Sequence, residues 1–319
     1  MTQKRRGLVL GAGGVLGASW TIGALNALQD VTGWDPRTAE VVIGTSAGSV
    51  MAAFIANDVS PQQLLNHQRG IVVEGDPVIE YDADDEASLP RLPRLGVGST
   101  RLLRQVAKHP RKVTPLTALA SITPQGRGSL APVRQLIETV CPRGTWAPHP
   151  RCWIVAMDYE TGKRVPFGRE GSPPAGLSDA VTASCAIPGW YAPVTIGGVR
   201  YVDGGACSPT SLDLVTPLEL DEVYVLSPMT SFDYDKPSSR IAKVERQFRR
   251  AVTRRLIKEA VKVRRSGTAV VMLGPGAEDL EAIGANLMDA RRRDAVLETS
   301  LRTSAEVLRR HYGSYAKPA

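Results

Sequence analysis

Ser46 sits in the pentapeptide Gly44-Thr45-Ser46-Ala47-Gly48, a setting that can turn an ordinarily inert hydroxyl into a nucleophile. The residues before it, Val41, Val42 and Ile43, are β-branched and read as the end of a buried strand, while Ser49 to Ala56 read as an apolar helix. A strand that passes directly into a helix holds the intervening serine in a strained conformation and lifts its oxygen clear of the sheet. Gly44 and Gly48 omit the side chains that would block so sharp a crossing, and the free N–H groups of the new helix favour an oxyanion nearby. A second candidate is the loop GAGGVLGASW, in which Gly11, Gly13, Gly14 and Gly17 separate a strand at Gly7 to Leu10 from a helix running through Leu28. A dinucleotide site needs glycine where Leu16 stands and an acidic residue where Gly44 opens the serine turn, and a phosphate loop needs a lysine that is missing between Lys4 and Lys108. An oxyanion hole needs only backbone N–H groups, which Gly13, Gly14 and Val15 offer beside Ser46 if the first two strands are neighbours. The other reading of the loop is a close-packed turn with no chemistry. A third candidate is Asp203, at the end of a strand and followed by Gly204 and Gly205: a carboxylate suited to general-base work, or a plain Asp-Gly turn.

In this order the glycine loop, GTSAG and Asp-Gly-Gly resemble the patatin-like phospholipase family, and ASCAIPGWYAPV followed by YVDGGACSP resembles the stretch around that family's catalytic aspartate. The resemblance runs from Gly7 to Pro228 and implies a three-layer α/β sandwich with a mostly parallel central sheet. It also implies a lipid acyl hydrolase with a Ser-Asp dyad, in which Ser46 is the nucleophile and Asp203 its proton acceptor. Gly17, Gly44, Gly48, Gly204 and Gly205 support the motifs. Two positions depart from the pattern: Ala12 replaces a glycine, and Leu16 stands where the family commonly carries Arg or Lys. Neither change touches the N–H groups of Gly13 to Val15, but both bear on charge-assisted ordering of the loop.

Such a dyad needs no metal or cofactor. The carboxylate takes the serine proton, the hydroxyl attacks an ester carbonyl, the N–H row holds the oxyanion, and water releases the acyl group. An aliphatic site built for acyl chains would also desolvate the carboxylate and make it a better base. The rival enzyme reading is an α/β-hydrolase triad of Ser46, Asp203 and His311, since His311 is the only histidine after Asp203. It is disfavoured because this serine follows only the second strand. A rival of another class is a non-catalytic protein of the same fold that uses its basic helices on lipid or nucleic acid. Aromatic content of 5% offers little for base stacking, so no nucleic-acid partner is expected.

The elements that must position these residues follow from pattern. Ser60-Pro61-Gln62-Gln63 is a capping box that opens a helix to about Arg69, Leu130 to Val140 has helical periodicity, and the segment from Arg151 reads as a core strand. Ser178 and Asp179 begin a short helix; Glu222 to Ser227 and Thr268 to Leu273 read as strands. Arg240 to Arg265 and Met288 to Arg310 read as long arginine-rich helices. At 319 residues, with 43% hydrophobic and 22% charged content, the chain fits one soluble patatin-like domain over 1–319. Within it, 74–128 reads as an insertion, either a solvated excursion or a cap over the site, and 237–319 as a basic helical C-terminal part. Cys141, Cys152, Cys185 and Cys207 are spaced like core thiols rather than a disulfide or zinc set. The start of the chain lacks the apolar stretch of a secretion signal, so a cytoplasmic enzyme is expected. The net charge of +7 raises peripheral contact with an anionic membrane, with solvated basic faces as the alternative.

Overall fold

A computed structural model describes residues 4–74, 98–109, 114–232 and 240–313. Among them eight strands form one sheet: β1 (Arg6–Leu10), β2 (Val41–Thr45), β3 (Cys152–Asp158), β4 (Arg164–Phe167), β5 (Val194–Ile196), β6 (Val199–Asp203), β7 (Glu222–Leu226) and β8 (Ala269–Leu273). β3, β2, β1, β7 and β8 lie side by side and parallel, and β4, β5 and β6 add antiparallel pairings at the β3 side. The helices are α1 (Gly14–Thr32), α2 (Ala47–Ala56), α3 (Pro61–Gln68), α4 (Thr100–Lys108), α5 (Pro115–Ile122), α6 (Ala131–Glu138), α7 (Leu177–Ser184), α8 (Arg240–Arg265), α9 (Ala277–Ile283) and α10 (Arg293–Gly313).

Both faces of the parallel strands are covered, which explains why those strands read as continuous apolar runs. Leu8, Leu10, Val42, Ile154, Tyr224 and Leu226 point to a core shared with α1, α2, α6, α7 and α10. The alternating residues Val9, Val41, Ile43, Trp153, Val155, Val223 and Val225 point to a second core closed by Leu256, Ala260 and Val263 of α8. The result is a three-layer α/β sandwich with a mostly parallel central sheet. α1 and α10 cross closely at Gly23, where a Cβ would stand 2.9 Å from Leu297 O and 2.8 Å from Ser300 Cβ.

Boundaries differ from the sequence reading at two places. The last helix begins at Arg293 rather than Met288 because the preceding residues are occupied: Leu16 N–H donates to Leu287 O at 3.0 Å, and Asn286 Oδ1 accepts from Met288 N–H at 3.1 Å. That helix also runs past Arg310, so that His311 belongs to the last turn of α10. The capping box at Ser60 is present with both of its hydrogen bonds. Within the 74–128 stretch, 75–97 and 110–113 lie outside the described residues. α4 and α5 pack on Met157, Tyr159, Val202 and Ala206, at the antiparallel side of the sheet. In the C-terminal part, 237–239 and 314–319 lie outside them too. No helix among the described residues is long and apolar enough to cross a membrane.

Candidate active site

Strand register brings Ser46 to Asp203. β2 runs along one edge of β3 as far as the pair Thr45–Val155, and β6 pairs with β3 from Ala156–Asp203 onward. β4 occupies β3 from Ile154 to Met157, overlapping both partners, so β2 and β6 must share the opposite edge and meet end to end. Ser46 leaves β2 at that junction and Asp203 ends β6 there. Ser46 has φ +53° and ψ −127°, a costly conformation for a residue with a side chain, and it caps the start of α2. Nothing larger than glycine fits at Gly48, where a Cβ would lie 2.1 Å from Leu10 O, and one at Gly44 would lie 2.5 Å from Gly48 O. Ser184 fills the remaining gap: its hydroxyl accepts from Ser46 N–H at 2.8 Å and donates to Val155 O at 2.6 Å. Ser49 N–H and hydroxyl both donate to Ser46 O, at 2.7 and 2.6 Å.

Asp203 is 5% exposed, and burial pushes its carboxyl up to about 6 despite two groups that favour the ionised form. These are the facing Ser46 hydroxyl and the Gly205 N–H, which donates to Asp203 Oδ1 at 2.7 Å. A carboxylate so placed is a stronger base than an exposed one and still ionised at neutral pH.

The glycine loop lies on the next strand over. Gly11 N–H donates to Leu226 O at 2.8 Å and Ala12 N–H to Pro209 O at 2.9 Å, which ties the loop to β7 and to the chain beyond Asp203. Gly13, Gly14 and Val15 then follow with N–H groups that have no hydrogen-bond partner among the described residues. Gly14 has φ +62°, and a Cβ there would stand 3.1 Å from Leu287 O. Gly13 and Gly17 are pressed against Pro228, where a Cβ would come within 2.5 and 3.1 Å of its Cγ.

Ser46, Gly14 and Val15 line one cavity of about 360 Å³, within the range of small-molecule sites. Its walls are Ala18, Ile22, Val50, Met51 and Phe54 from α1 and α2, with Leu64, Leu130, Val133, Leu136, Ile187 and Tyr191 around them. Gly13 and Asp203 are not among the lining residues. His311 lines a different cavity, with Phe232, Gly274 and Arg310, and is not brought to Ser46. Cys141, Cys152 and Cys185 are buried, Cys207 half-buried, and all four are free thiols.

Three contributors carry no sequence signal of their own. Ser184 sits in an unremarkable helix. Glu259, 4% exposed on α8, accepts from Ser208 Oγ at 2.7 Å, Thr210 Oγ1 at 3.0 Å, Leu212 N–H at 3.0 Å and Arg255 Nε at 2.8 Å, and so pins the stretch whose Pro209 holds the glycine loop. Arg293 enters the cavity wall from a run of arginines.

Compared with known proteins, residues 8–216 match the sequence model of the patatin-like phospholipase family. That interval holds the glycine loop, the serine turn and Asp203, and stops before α8. No curated protein matches the chain. Among solved structures, the crystal structure of VipD from Legionella pneumophila aligns with a TM-score of 0.44 and 13% identity, over 97% of this chain and 67% of that one.

Proposed function

The chain belongs to the patatin-like phospholipase family, and from that premise we propose that it is a serine acyl-ester hydrolase of lipids that works through a Ser46–Asp203 dyad. The observation that carries the reading is the meeting of a strained serine and a buried, basic carboxylate beside an apolar cavity. Asp203 accepts the Ser46 proton as the hydroxyl attacks the ester carbonyl. The carbonyl oxygen becomes an oxyanion beside the N–H groups of Gly13, Gly14 and Val15, which the positive end of α1 reinforces. Collapse expels the alcohol, which takes the proton from Asp203 and leaves the acyl group on Ser46. Water then gives its proton to Asp203, attacks the acyl-enzyme and frees the fatty acid as the proton returns to Ser46.

The aliphatic walls fit an acyl chain. Peripheral contact with an anionic membrane belongs to the same reading, because exposed cations occur on α4 and α8. Turnover of a short-chain acyl ester by Ser46→Ala tests the assignment. A folded variant without turnover supports it, and one with wild-type turnover overturns it.

A further inference from the structure

Among the described residues that line the Ser46 cavity, Arg293 is the only Arg, Lys, Asp or Glu. Its Nε is buried without a hydrogen-bond partner, and no carboxylate pairs with its guanidinium among the described residues. Other arginines of low exposure are treated differently. Arg164 holds Asp213 through two bonds of 2.7 and 3.0 Å, and Arg249 is bonded to Glu245 and, at 2.6 Å, to Pro228 O. Two acids near Arg293 in sequence are taken, Glu298 by Arg69 at 2.9 and 3.0 Å and Asp289 by Arg291 at 2.8 and 3.0 Å, while the adjacent Asp294 is exposed and forms no ion pair with Arg293. Arg293 as a whole is half-buried, but a buried guanidinium N–H without an acceptor is costly unless a ligand supplies one.

The place of this cation is fixed. Leu16 N–H, one residue past the free N–H row, donates to Leu287 O, and Gly14 packs on Leu287 and Met288. The segment that delivers Arg293 is therefore fastened to the loop that would hold the oxyanion. His67 also lines the cavity, and burial together with the charge of Arg293 lowers its pKa, which favours a neutral ring beside the guanidinium.

We propose that Arg293, with His67 beside it, determines specificity in this cavity by receiving a phosphate group carried by the lipid whose ester stands at Ser46. The guanidinium offers the paired N–H geometry that phosphate oxygens accept, and the aliphatic remainder of the cavity takes the acyl chain. The site's use on an ester rests on the Ser46 reading, but phosphate recognition does not.

Calorimetric titration of the full chain with 1,2-di-O-hexylglycerol 3-phosphate, and with its neutral counterpart lacking the phosphate, separates the two because neither lipid contains a carboxylic ester. Wild type should prefer the phosphate lipid, Arg293→Gln should lose about tenfold or more of that preference, and Arg293→Lys should keep part of it. Arg293→Met, which suits the apolar wall, serves as a second neutral variant. An unchanged preference in both neutral variants, or an equal loss of both lipids, overturns the proposal. So does inorganic phosphate binding as tightly as the phosphate lipid, which would make this a site for the free ion. If Ser46→Ala keeps full turnover, the nucleophile reading falls while the binding result stands.

Discussion

The two faces of the sheet are made from the same alternating strands but handle charge in opposite ways. On the face covered by α1, α2 and α6, a cavity opens at Ser46, its walls are mostly apolar, and Arg293, the one Arg, Lys, Asp or Glu among its described lining residues, has no ion-pair partner among them. On the face covered by α8, buried charges are matched inside the protein: Glu259 receives four donors, and Arg246 and Arg249 share Glu245. The difference divides the labour. The α8 face spends its ion pairs on holding 208–212 and, through Pro209, the glycine loop, whereas on the cavity face the Arg293 Nε has no acceptor among the described residues.

The largest effect is expected at the junction of β2 and β6. Asp203→Asn keeps an acceptor for Gly205 N–H but removes the proposed base, so the turnover number should fall by ~10²–10⁴. His311→Ala, His109→Ala and His149→Ala should leave it near wild type, and a folded histidine variant without activity would point to a triad. The same Asp203→Asn change should stabilise the fold. With the carboxyl raised from 3.8 to about 6, the folded state holds its proton to higher pH than the unfolded chain does. Stability is therefore lost between those values, and by pH 7 the penalty is about 3 kcal/mol, which Asn removes. Thermal unfolding of both proteins at pH 7 measures it; a less stable Asn variant would contradict the burial of the charge.

The second effect tests the α8 face. Glu259→Ala leaves three donors of 208–212 without an acceptor and should cost about 3–5 kcal/mol of stability. If the two faces are coupled as described, it should also lower turnover on a soluble ester at temperatures where the protein remains folded. Unchanged turnover in the folded variant would uncouple them. A smaller effect is graded by pH: the base acts only when ionised, so kcat/KM should be flat above about 6 and fall tenfold per unit below it. A profile flat to pH 4 would remove Asp203 from the reaction.

The smallest effect concerns the outward side of α8, where Arg254, Lys258 and Arg265 are exposed beside Ile257 and Val261. Arg254→Gln with Lys258→Gln should change stability by no more than about 0.5 kcal/mol. If this surface meets anionic bilayers, each lost charge should weaken vesicle binding by about 1 kcal/mol at low salt. Co-sedimentation with neutral and anionic vesicles reads the difference, and equal binding to both removes the membrane role.

What could be read from sequence was what is encoded locally. The serine turn is written in Val41 to Ala56, because β-branched residues, two glycines and an Ala-rich run each dictate their own backbone. The Asp203 turn and the glycine loop are legible for the same reason. The end-to-end meeting of β2 and β6 on one edge of β3 was not, because it depends on pairings between residues 110 positions apart on β2 and β3 and 43 to 47 apart on β3 and β6. Ser184, Glu259 and Arg293 were hidden for a related reason: a serine in a helix, or a charge among other charges, looks like surface until its distant partners are placed. The basic pattern of α8 read as an outward surface, solvated or facing a membrane, and its buried Arg249 and Glu259 show that part of that charge points inward.

Fluorophosphonate labelling followed by peptide mapping tests the central claim most directly, since the probe reports a serine that is activated and not merely present. The account predicts one adduct, on Ser46, absent from Ser46→Ala and strongly slowed in Asp203→Asn. An adduct on another serine, or unchanged labelling of Ser46→Ala, would contradict it.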